Sequence, residues 1–316
     1  MKVLLLCDQD EEYINKPYSL YYAISQLKLL QKVFGKDADT IQLQNFTKWS
    51  GSLEYTTLLA RELQSINILD YDFIIGCGDL FFDRLFKPKF INPIMFQQMF
   101  PKKNLVQFDA SPTINVANYG LYHLESSSPS NKCEYVGHCV PSEYLYIEEK
   151  TTDRINVFVD HAMPKRNDIT NEILSYLEKV QKDYPIDVYH QNTTEITKNV
   201  FVNNSMSYAV YPIEELHSIY RKMDVAFPTH RETMGSFAPE LALCGAINVI
   251  KNCMYPQSIK KYFPHMSYNS FDEIDWNEIL RKTTEKETIR QETLKHYSIE
   301  SYRNRIYNAL ERFLKR

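Results

Sequence analysis

Short apolar runs of strand length alternate with longer stretches whose apolar residues recur at three and four, and the series occurs twice in 316 residues. This alternation is the pattern of a parallel sheet wrapped by helices. A strand covered on both faces reads as one continuous apolar run, and its crossover helix carries a single apolar stripe. In the first series "KVLLLC" (2–7), "TIQLQNF" (40–46), "YDFIIGCG" (71–78) and "NLVQFDAS" (104–111) read as strands, with helices over 18–34 and 52–66. In the second, "INVFVDH" (155–161), "IDVYHQ" (186–191), "YAVYP" (208–212), "DVAFP" (224–228) and "INVIK" (247–251) read as strands, with helices over 168–184 and 213–223. Between the series lie a polar loop, "LESSSPSNK" (124–132), and a stretch over 133–153 with no strong period and a charged end.

The expected class is therefore α/β, as two Rossmann-like, doubly wound domains: 1–147, a connector at 148–154, and 155–297. The length suits two domains. The tail 298–316 reads as one amphipathic helix, with Ile299, Tyr302, Ile306, Ala309, Leu310 and Phe313 on one stripe.

Composition excludes several functions. A formal charge of −4 argues against a broad electrostatic grip on nucleic acid, though not against a local basic cleft. No apolar run approaches the roughly 18 residues of a membrane span. The opening "MKVLLLCDQDEEY" turns acidic at once, so it reads as a first strand and not a signal peptide. Six cysteines without CxxC spacing fit reduced thiols in a cytoplasmic protein. Eight histidines show no HxH or HxxxH pairing that would suggest a metal site. The frequent Tyr, Asn, Ile and Lys look like the codon bias of an AT-rich genome, which suits a viral or phage origin.

The sharpest local signal is "PTHRETMGSFAPELALCGAINVI" (228–250). The chain has only 8 Gly, and two fall here. Ser236 is a good N-cap, Pro239 is tolerated in a first helical turn, and Gly245 suits the left-handed position after a helix. Free amides near 235–238 would then face the carboxyl end of strand 224–228, as an anion site suited to phosphate. Gly235 lets the backbone approach a ligand closely. Glu240 is placed to accept hydrogen bonds from paired sugar hydroxyls, and Glu232 lies in the loop ahead. The simpler alternative is a capped α/β helix with Glu232 exposed and Glu240 offsetting the dipole.

Glu232 and Glu240, with seven residues between them and glycine three after the first, resemble the E-x7-E signature of retaining GT-B glycosyltransferases, especially the family 4 group. "IEELHSIYRKMDVAFPTHRET" resembles the helix and strand before that signature, "ELALCGAINVIKN" the family's "EAMACGxPVI", and "YVGHCVPSEYLYIEEKTTDRINVFVDH" its inter-domain passage. The resemblance implies two domains facing across a cleft, the first on the acceptor side, the second holding a nucleotide-diphosphate sugar, and the tail helix crossing back to the first. It implies a metal-independent hexosyltransferase without a cofactor, the donor UDP-linked.

Carried over, Glu240 would hold the ribose and Glu232 the transferred sugar. Backbone at Met234, Gly235, Ser236 and Phe237 would meet the diphosphate and sugar. Lys165 and Arg166 in "HAMPKRND" would meet the diphosphate, although "PKRND" is also an ordinary solvated helix start. His161 would line the donor site. Asp109, ending "LVQFD", would stand beside the reacting carbon, or merely cap a turn. The family's glycine-rich loop after the first strand is absent from "CDQDEEYINKPYS". "DQD" at Asp8–Asp10 resembles the metal-binding DxD of the other main glycosyltransferase fold. "DAD" (37–39) and "DYD" (70–72) match it equally, so no metal ligand is assigned.

The acceptor stays open between a glycan and a hydroxymethylated DNA base, because "ELALCGAINVI" also resembles a stretch of a phage enzyme that glucosylates hydroxymethylcytosine in DNA. A viral chain would act in the host cytoplasm. A catalytically weak nucleotide-sugar-binding or regulatory module of the same fold is the alternative.

Overall fold

Runs such as VLLLC and INVFV commit their backbones to strands because β-branched and leucyl side chains, placed alternately on two faces, can be buried on both only inside a covered parallel sheet. A computed structural model of the chain describes residues 1–7, 23–42, 53–77, 82, 100, 104–109, 118–122, 132–137, 139–140, 142–150, 152–160, 167–192, 195–203, 213–229, 237–255 and 257–316. It divides into two compact units, Met1–His138 with Tyr302–Arg316, and Cys139–Ser301.

The first unit is built on β1 (Val3–Cys7), β2 (Ala38–Gln42), β3 (Phe73–Cys77), β4 (Leu105–Asp109), β5 (Tyr119–Tyr122) and β6 (Cys133–Tyr135). They form one sheet in the order β2-β1-β3-β4-β5-β6, parallel throughout. Helices α1 (Ala23–Phe34) and α2 (Leu53–Gln64) are its described crossovers. Leu59 and Leu63 of α2 pack on Leu4, Leu6 and Ile74, while Leu27 and Leu30 of α1 are fully buried.

The second unit carries β7 (Ile155–Val159), α3 (Asn167–Val180), β8 (Ile186–Asn192), β9 (Glu195–Lys198), α4 (Ile213–Tyr220), β10 (Val225–Phe227), α5 (Phe237–Leu243), β11 (Ile247–Lys251), α6 (Gln257–Lys260), β12 (His265–Tyr268), α7 (Trp276–Thr283) and α8 (Lys286–Tyr297). Its sheet runs β12-β11-β10-β7-β8-β9. All neighbours are parallel except β9, which returns antiparallel on β8 and so departs from the purely parallel expectation. One large apolar core joins both faces of this sheet to its helices. The expected strand 208–212 lies outside the described residues.

The final helix, α9 (Ile299–Leu314), supplies Tyr302, Ile306, Ala309, Leu310 and Phe313 to the first unit, each at most 2% exposed. Phe313 stacks on Tyr119 with centroids 4.3 Å apart. Arg303 donates from Nε to the Val33 carbonyl at 2.7 Å and from Nη2 to that of Lys32 at 2.8 Å, capping the last turn of α1 with a cation where the helix dipole favours one. Arg312 and Arg316 both pair with Glu134 of β6, at 2.9 and 2.6 Å.

The division between units differs from the expected connector at 148–154. Residues 142–150 are fastened to the second unit. Val140 and Leu145 join its core, and the Val140 N–H donates to the Tyr297 carbonyl at 3.1 Å. The Glu148 N–H donates to the Arg221 carbonyl at 3.3 Å, and the Lys150 ammonium pairs with Asp224. A stretch without periodicity can still be core when its few apolar residues each find a pocket.

Candidate functional site

In the second sheet the chain leaves β7 toward β8 on one side and later returns to place β10 on the other. That reversal makes the carboxyl ends of β7 and β10 a topological switch point, where open α/β sheets leave a crevice for ligands. The two strands end in register, Val159 opposite Phe227. The Asp160 N–H extends the ladder by one bond, to the Phe227 carbonyl at 3.0 Å.

Just past these ends stand two buried polar side chains, Asp160 at 3% and Thr229 at 2% exposure. Two stretches follow them in sequence, 161–166 and 230–236. The first carries His161, Lys165 and Arg166, the second Glu232, Met234, Gly235 and Ser236. All seven lie outside the described residues, as do Asp8 and Asp10.

After the second stretch comes α5, whose seven residues are all buried. Phe237 turns its ring inward against Phe158 and Tyr220, with centroids 5.9 Å from each. Its backbone is therefore the part it can offer a ligand. Glu240, the fourth residue of the helix, is 4% exposed. A carboxylate simply offsetting the helix dipole would lie in water; this one is held in the protein, where the charged form needs polar contacts. Burial, with the nearby charge of Glu240, pushes the Cys244 thiol up to about 12, so that cysteine stays neutral.

Helix α5 is anchored at both ends. At its start Asn248 of β11 donates from Nδ2 to the Ala238 carbonyl at 2.9 Å. At its end the Arg290 guanidinium of α8 donates to the carbonyls of Leu243 and Leu145. The Ala246 N–H returns to the Leu241 carbonyl and the Gly245 N–H to that of Ala242, both at 3.0 Å, with Gly245 at φ +82°. This is the left-handed helix end expected of Gly245. Pro239 sits in the first turn, where a missing N–H costs nothing.

Asp109 ends β4 in the first unit, opposite Tyr122. Its strand position is as expected; its side chain lies outside the described residues. Among the described residues no group of three or more His, Cys, Asp or Glu is arranged to hold a metal ion. No described helix is long and apolar enough to cross a membrane. Sequence reasoning passed over Asp160, Thr229 and Asn248. The signal available for each was one polar residue within or directly after a buried apolar strand.

By sequence, the chain matches no family model and no curated protein. By structure it superposes on HepE from Anabaena, solved with UDP and glucose, at a TM-score of 0.59 and 11% identity, over 98% of this chain and 99% of that one. It is similar to sucrose-phosphate synthase from Thermosynechococcus elongatus at 0.59 and 7% identity, over 100% of both chains. The lipopolysaccharide outer core galactosyltransferase WaaB gives 0.53 and 11% identity, over 99% of this chain and 100% of that one. The chain has the GT-B fold. Each of its units supplies one of the two Rossmann-like halves of GT-B, and the likeness runs through both.

Proposed function

We propose that this protein is a glycosyltransferase that takes a nucleotide-diphosphate sugar, UDP-linked, on its second unit and transfers a hexose with retention to an acceptor hydroxyl. The observation that carries the reading is the buried Glu240, the fourth residue of α5. In support, HepE of the same fold is solved with UDP and with UDP-glucose.

In this reading Glu240 accepts hydrogen bonds from the ribose hydroxyls, and Glu232 accepts them from the transferred sugar. Lys165 and Arg166, with the backbone over Met234–Phe237, take the charge that develops on the departing diphosphate. Donors and cations fixed in place before the bond breaks lower the barrier without a metal, because nothing has to reorganise as the charge appears. His161 lines the same site from the β7 side. The first unit takes the acceptor, a glycan or a hydroxymethylated DNA base, with Asp109 beside the reacting carbon. The acceptor hydroxyl attacks on the face from which the diphosphate leaves.

The test is Glu240→Ala with UDP titrated calorimetrically. Hydrogen bonds to a charged group are worth about 1.5–3 kcal/mol, so affinity should fall by about tenfold or more while the fold is kept. Transfer or slow hydrolysis of UDP-glucose should persist in EDTA. A folded Glu240→Ala variant with unchanged UDP affinity overturns the assignment. UDP binding without any turnover would mark a nucleotide-sugar-binding module instead.

A further inference from the structure

Over Ile247–Ile250 strand β11 is wholly buried, and apolar except at one position. Ile247, Val249 and Ile250 are at most 1% exposed, and between them Asn248 is wholly buried. The side-chain amide spends its N–H on the Ala238 carbonyl, in the first turn of α5. Its Oδ1 has no hydrogen-bond partner among the described residues.

This placement is unfavourable by itself. A buried amide with a bare oxygen loses water and recovers only part of what it lost, and Val or Leu would fill the same strand without that cost. The Ala238 carbonyl does not need the bond either, since a first-turn carbonyl has its own helical partner. What the bond does add is a fixed relation between β11 and the first turn of α5, two residues before Glu240.

We infer that Asn248 is a positioning residue for the donor site, holding the first turn of α5 so that the Glu240 carboxylate meets the ribose. This rests on the reading of Glu240 given above. Local rules of packing are broken most readily where a site must be held in place, and the cost then falls on stability. The inference therefore has an uncommon signature. Removing the amide should leave the fold as stable or more stable while donor affinity drops.

The experiment measures UDP affinity and thermal unfolding for the wild type, Asn248→Leu (close to isosteric), Asn248→Val, Glu240→Ala and the Asn248→Leu/Glu240→Ala double variant. Either single Asn248 variant suffices if the other does not fold. The expected result is an unchanged or raised Tm with UDP bound about five- to tenfold more weakly. That loss should vanish in the Glu240→Ala background, because a residue that acts through Glu240 has nothing left to position. Unchanged UDP affinity in a folded Asn248 variant overturns the inference, as does a loss that persists in full without Glu240. If the wild type does not bind UDP, or Glu240→Ala binds it equally well, the reading of Glu240 has failed and the inference falls with it.

Discussion

Replacing Gly245 with alanine tests how α5 is held, and its cost can be worked from the structure. The residue lies at φ +82°, where an L side chain is strained, at about 1–2 kcal/mol. A Cβ added there would also sit 2.7 Å from Lys286 Cβ, 3.2 Å from Lys286 Cα and 3.2 Å from Ile147 Cγ1. The first of these is closer than packed carbons come, and Lys286 Cβ is fixed to the opening backbone of α8. The clash can be relieved only by moving that helix, and forced repacking of this kind costs about 1–3 kcal/mol. Together the two effects predict a destabilisation of about 2–5 kcal/mol. Urea unfolding of the wild type and Gly245→Ala, followed by far-UV circular dichroism with equal m-values, would measure it. A loss below about 1 kcal/mol would refute the reasoning, because it would mean α8 yields freely and does not clamp the site helix.

Two further perturbations probe the second unit. Asp224 is wholly buried, paired with the Lys150 ammonium, at 2.6 Å from that of Lys286, and accepts the Asn156 N–H at 2.7 Å. Asp224→Asn leaves two partly buried cations without a counter-charge and should cost about 3 kcal/mol in urea unfolding. A loss under about 1 kcal/mol would remove the triad as a support. His217 is 3% exposed, and burial, with help from Arg221 and against the pull of Glu214, holds its imidazole down at about 4. The folded value lies below the unfolded 6.5, so the stability tied to the neutral ring is present above pH 6.5 and is lost as pH falls toward 4. His217→Gln should therefore lose less stability than the wild type between pH 7 and 4, by up to about 3 kcal/mol. Identical pH slopes would contradict this.

The sequence made the sheets legible wherever strands are buried on both faces, as in β1, β3, β7, β10 and β11, because burial there leaves a solid apolar run. It hid β5, β6, β9 and β12. These are three or four residues long, mixed in polarity, and depend on a neighbour for their pairing. Helix α8 escaped because Ile289, Thr293 and Tyr297, its buried face, include a threonine whose hydroxyl bonds back to the Ile289 carbonyl. The candidate site shows in the sequence only as the spacing of Glu232, Gly235, Glu240 and Gly245, of which Glu240 and Gly245 are among the described residues. Asn248 was not legible, since one asparagine in "INVIK" carries no period and its meaning lies in the carbonyl opposite it.

The passage of the chain through its units has a consequence for biosynthesis. Residues 302–316 complete the first unit, yet they are translated after all of the second. While the ribosome is still working, Tyr119 and Glu134 lack Phe313, Arg312 and Arg316, and the last turn of α1 lacks the Arg303 cap. The second unit, by contrast, is one unbroken stretch from Cys139 to Ser301. The first unit is thus a discontinuous one: its two parts are separated in sequence by the whole of the second, and it is completed only when α9 is made.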